Sequence, residues 1–187
     1  MKAVLLLMAV QGALGAFDTA YYHEYKARLV AAGPRARPEL WLHALRDFVY
    51  ALLFATLPWV TWCGAWATVL ATLLACEIAV TMADFAVEGR TRGPQGLAAG
   101  ERVTHGLMAV VYGAMLGRLA PYVAHWRDSP TSFQMLEEPI PHGLELVLLA
   151  FAVGVFGSGL RDAYAAAGGR NGAIPWAKSA RHAGHSS

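Results

Sequence analysis

Five apolar runs, 3–22, 40–62, 64–87, 103–123 and 143–160, divide this chain of 187 residues. A hydrocarbon core ~30 Å thick is crossed by about 20 residues of helix, and each run is near that length. In lipid every backbone amide must be paired, and a run of about 20 residues, twice the length of a barrel strand, does so as a helix. The expected fold is therefore all-α: an integral-membrane, up-and-down helical bundle of about five transmembrane helices. Residues 1–167 would form one domain and 168–187 a mobile cytoplasmic tail. A composition 56% hydrophobic and 15% charged lies well outside soluble averages and supports the same class.

The first run has features of a secretory leader, with Lys2, an apolar stretch from Val4 to Val10, and Ala13-Leu14-Gly15-Ala16. The run continues through Phe17, Ala20, Tyr21 and Tyr22, so it reads as a retained first span. Basic residues then set the orientation. Lys26, Arg28, Arg35 and Arg37 follow the first run, Arg90 and Arg92 the third, and Arg161, Arg170, Lys178 and Arg181 the fifth. Those segments are expected in the cytoplasm, with the N-terminus outside and the C-terminus inside a multi-pass inner-membrane protein. The formal charge of +2 is spread topologically and forms no basic stripe, so no nucleic-acid partner is expected.

Ionisable residues gather at one end of the bundle. Asp18 and His23 close the first run, His43 and Asp47 open the second, Glu77, Asp84 and Glu88 close the third, and Glu101 and His105 open the fourth. Positions four or seven apart share a helix face. Glu77, Thr81, Asp84 and Glu88 therefore form one stripe, His43, Asp47 and Tyr50 another, and Glu101, His105, Met108 and Tyr112 a third. At 1.5 Å per residue, His43, Asp84 and His105 lie about 6 Å inside, Asp18 and Asp47 about 10 to 12 Å, and Glu77 about 16 Å.

Such groups are costly in lipid and need a common compensating partner. At that depth the acids Asp18, Asp47, Glu77 and Asp84 face one obvious cation, Arg46, which leaves protons or metal to balance the remainder. The expected ligands are His43, Asp47, Glu77, Asp84 and His105, with Asp18 and His23 as further ligands or orienters. Glu88 and Glu101 read as interfacial residues. Carboxylates with imidazoles suit iron, manganese or zinc, and two ions are expected, iron first. Tyr50 and Tyr112 share the ligand stripes and are candidate catalytic relays, whereas Tyr21, Tyr22 and Tyr25 read as interfacial anchors.

In this donor set the chain resembles, in architecture, the helical-bundle di-metal carboxylate proteins, over its first four runs. It departs from them in lacking their Glu-x-x-His pair; spacing four replaces spacing three in His43 with Asp47 and in Glu101 with His105. The expected function is that of a membrane metalloprotein with a dinuclear carboxylate/histidine site near the cytoplasmic face. It would act as an oxidoreductase on a membrane-delivered, lipid-soluble substrate. A metal-ion or proton transporter using the same acids is the alternative from another class, and a haem bundle with His43 and His105 as axial ligands is a third.

Two cysteines, Cys63 and Cys76, read as apolar fillers on the third run, about 20 Å apart along a helix and too distant to bridge. Gly154, Gly157, Ser158 and Gly159 make the fifth run a packing or homodimerisation element.

Overall fold

The computed structural model describes residues 1–91 and 97–169. Five helices, α1 (Lys2–Phe17), α2 (Arg37–Thr56), α3 (Ala65–Thr91), α4 (Ala99–Arg127) and α5 (His142–Ala166), form the body. Their principal contacts trace a closed ring: α1 against α4, α4 against α3, α3 against α2, α2 against α5, and α5 back against α1. Leu5, Met8, Phe54, Leu57, Leu70 and Leu148 fill the half of the ring nearer the N-terminus. The tail expected over 168–187 falls, from Arg170 onward, outside the described residues.

Four helical stretches, Lys2–Ala31, Ala65–Arg90, Ala99–Arg127 and His142–Ala166, are long and apolar enough to cross a membrane. The second run does not join them. Its helix starts earlier than expected, stops at Thr56 rather than continuing to 62, and carries Arg37, Glu39, Arg46 and Asp47. Large apolar side chains cover much of the outside, among them Val110, Val153, Leu146 and Val103, each more than 60% exposed. An apolar surface of that extent is what a helix bundle offers to lipid or to another protein.

Strands were not expected, yet β1 (Val60–Cys63) pairs antiparallel with β2 (Ser132–Met135). This ribbon ties the α2–α3 connection to the α4–α5 connection and takes Cys63 off the third helix. Both Cys63 and Cys76 are free thiols. Gly64 turns the chain from β1 into α3 at φ 62°, where a Cβ would meet the Thr131 backbone at 2.6 Å, so the position requires glycine twice over. Trp62, Trp66 and Phe133 pack there, Trp66 stacking on Phe133 at 4.7 Å. The Met1 ammonium reaches the same end, 2.9 Å from Glu138 and also bonded to Tyr122.

At the opposite end α1 passes into a π-helical segment, Asp18–Ala27. It is closed by Arg28 in the left-handed conformation at φ 51°. Two short 3-10 turns, Leu29–Ala31 and Gly33–Ala36, lead into α2.

Candidate metal centre

Each helix end brings its donors in by local geometry. An α-helix would place Asp18 and His23, five residues apart, about 140° from each other. The π-helical register of five closes that angle, and the Asp18 Oδ2 to His23 Nε2 distance is 3.2 Å. Such segments recur at functional sites because they re-aim side chains at the expense of regular hydrogen bonding. On α2, Glu39 and His43 lie one turn apart, as do Asp84 and Glu88 on α3 and Glu101 and His105 on α4. All eight of these residues are buried.

Among the described residues, two sets of donors lie close enough to surround an ion. His23, Glu88, Glu101 and His105 offer atoms within 4.8 Å of one another, and so do Glu39, His43 and Glu88. Glu88 belongs to both sets. The imidazoles of His23 and His43 stack with centroids 4.5 Å apart, which brings the two sets side by side.

Flanking carboxylates hold the rings. Asp18 Oδ2 lies 3.2 Å from Nε2 of His23 and 3.2 Å from Nε2 of His105, while Nδ1 of His105 sits 3.6 Å from Glu88 Oε2. Each His105 nitrogen thus has its own carboxylate. Asp84 Oδ2 approaches His43 Nε2 at 3.3 Å and accepts a hydrogen bond of 3.1 Å from Arg46 Nη1. Asp162, on α5, lies 3.9 Å from His43 Nδ1.

The expected ligands therefore separate by place. His23, His43 and His105 belong to the two donor sets, and Asp18 and Asp84 contact their rings. Asp47 and Glu77 belong to neither set. Asp47 sits beside Gly159 of α5. Glu77 accepts hydrogen bonds from Tyr50 at 3.2 Å and Thr81 at 3.0 Å. Tyr50 in turn accepts from Gln11 at 3.2 Å, and Tyr112 donates to the Leu74 carbonyl at 3.3 Å.

Glu39, absent from the expected ligands, and Glu88 and Glu101, expected at the interface, are the donors that depth does not single out. Their signal was an acid one turn from a chosen ligand. Arg161, expected just beyond the fifth span on the cytoplasmic side, lies within α5, and its guanidinium is 2.6 Å from Glu24 and 2.7 Å from Asp162. Arg46 is consequently not the one cation at this end. Tyr22, expected at the interface, is buried, and a Cβ on Gly100 would collide with its hydroxyl. Tyr21 and Tyr25 are exposed and stacked at 5.9 Å, as anchors would be.

A cavity of about 760 Å³ opens beside the cluster, with Asp18, His105 and Arg46 in its wall at one end and Gln11, Phe54 and Phe151 at the other. Ile78 and Met82 line it and are 44% and 55% exposed, so it communicates with the side of the bundle. No family model, curated protein or solved structure matches the chain.

Proposed function

We propose that this protein is a multi-pass membrane metalloprotein whose two donor sets hold two metal ions, and that it acts as an oxidoreductase on a lipid-soluble substrate. The observation that carries the reading is Glu88, one buried carboxylate common to a two-histidine, two-glutamate set and a one-histidine, two-glutamate set. Carboxylates can bridge paired cations in helical bundles, and this mixture of oxygen and imidazole donors fits iron, manganese or zinc. In this reading His23, Glu101 and His105 serve one ion, Glu39 and His43 the other, and Glu88 both. Asp18 fixes the imidazole of His105 through its second nitrogen, the usual outer support of a ligating histidine. A redox-active pair there would supply electron or oxygen chemistry at the wall of the cavity.

The side opening past Ile78 and Met82 gives an apolar molecule a route from the bilayer. In this arrangement α2 is the fifth span, about 30 Å long, with Glu39 buried and Arg46 paired to Asp84 of α3, while Arg37 at its start is exposed. The half of the ring beyond Gln11 is filled by Leu5, Met8, Leu57 and Leu70, and among the described residues its one buried charge is the Met1 ammonium, paired with Glu138 at the far end, which favours a one-sided site over an ion path.

Purification in detergent without added metal, followed by plasma mass spectrometry, tests the reading. Two equivalents per chain are expected for the wild type, about one for Glu39→Gln and less than one for Glu88→Gln. Substoichiometric metal in the wild type overturns it. An optical spectrum of the same sample identifies iron or, through a Soret band, haem.

A further inference from the structure

The inner end of the cavity carries polar groups with no part in the donor sets. Gln11 is buried at mid-bundle and lines the cavity with Tyr50, Glu77, Thr81 and Tyr112. The direction of its hydrogen bonds is set by the carboxylate. Glu77 accepts from Tyr50, so the phenolic oxygen is left to accept from the Gln11 amide nitrogen. That fixes the Gln11 carbonyl oxygen as the remaining end of the relay, and it has no donor. A buried acceptor left so is unfavourable, and a ligand hydroxyl can satisfy it.

The surroundings narrow the ligand further. Tyr50 and Phe54 stack at 6.0 Å, Tyr50 meets Tyr112 edge-on at 6.1 Å, and Phe54 and Phe151 lie 5.7 Å apart. These rings surround the relay with flat apolar walls that suit an aromatic ring by offset or edge contacts. Met82, Met108 and Leu116 continue the lining in apolar character. A volume of about 760 Å³ lies in the range of small-molecule sites.

We propose that this cavity binds a lipid-soluble phenol, of the alkylphenol or hydroquinone class, with its hydroxyl donating to the Gln11 carbonyl and its ring held among Tyr50, Phe54 and Phe151. The assignment names the substrate class of the proposed enzyme and rests on that reading for the ligand's fate, while the binding itself is independent of metal.

The test uses the full chain in nanodiscs and two probes, 4-nonylphenol and its methyl ether, with partition into empty nanodiscs subtracted. The phenol is expected to saturate at one per chain and to bind about tenfold more tightly than the ether, which keeps the ring and tail but cannot donate. Gln11→Met, close in shape and apolar, is expected to abolish that preference; Tyr50→Phe, which breaks the relay, is expected to narrow it. Equal binding of the two probes, no saturation, or a preference that survives Gln11→Met overturns the proposal. Metal content of the same samples separates the claims. Metal-free wild type that still prefers the phenol supports this site and sinks the metal reading, whereas two bound metals with no preference do the reverse.

Discussion

Asp18 contacts two histidines from different helices through a single oxygen, Oδ2. Its role in the proposed site is to orient, because Nδ1 of His105 is the nitrogen that faces Glu88. Loss of such an outer carboxylate typically weakens metal affinity about 10–100-fold without removing the site. Asp18→Asn is accordingly expected to lower metal affinity by that factor in competition with a chelator, with helicity by circular dichroism unchanged. An affinity equal to wild type would remove Asp18 from the site. Gly64 is the other residue on which much depends, for a different reason. Gly64→Ala forces a side chain into the Thr131 backbone at positive φ. Strain of that kind is worth about 1–3 kcal/mol, and it should appear as a lower melting temperature with metal content retained.

At the scale of elements, the helices and their polar stripes were legible because periodicity depends only on local geometry. The pairs Glu101 with His105 and Asp84 with Glu88 needed nothing more than spacing four. Depth was read well enough to place Glu77 further in than His43, but not to say that it would join Tyr50 and Gln11 rather than the histidines. That choice is made by helix rotation, which the ring sets through contacts such as Gly159 of α5 against Asp47 and Phe48 of α2. The same contact shows one small residue of the fifth run packing inside the chain. The β1–β2 ribbon was illegible because neither four-residue strand has a signal of its own; each exists by pairing with the other across the bundle.

The π-helical segment was the least legible element and is the most open to manipulation. Asp18 and His23 meet because the register there is five. Removing Ala20 would leave them four apart, the spacing that an ordinary α-helix places on one face. Adding an alanine after Ala20 would leave them six apart and separate them in either register. We expect the deletion to retain metal and the insertion to lose at least one equivalent, with both proteins monodisperse in detergent. Retention by the insertion variant would show that the segment does not position the ligands.

For the whole molecule, polarity from end to end is the strongest feature. One end holds the Met1 ammonium, Glu138 and the β ribbon; the other holds the donor sets together with Arg46 and Arg161. Cationic residues beside span ends remain on the cytoplasmic side, and Lys26, Arg28, Arg35, Arg37 and Arg90 all belong to the donor end. This predicts the direction of insertion. In a chain with Cys63→Ala and Cys76→Ala, Asp128→Cys marks the ribbon end and Ala32→Cys the donor end. A membrane-impermeant maleimide applied to intact cells should label the first and reach the second only after lysis. The opposite pattern would turn the molecule over and expose the donor sets to the outer compartment, where the metals available to them and the electron partners of the proposed chemistry would both differ. Because the cavity opens through the side of the bundle, the route for a lipid-soluble ligand would survive either result, so orientation decides the supply of metal and electrons and leaves the substrate assignment to the phenol test.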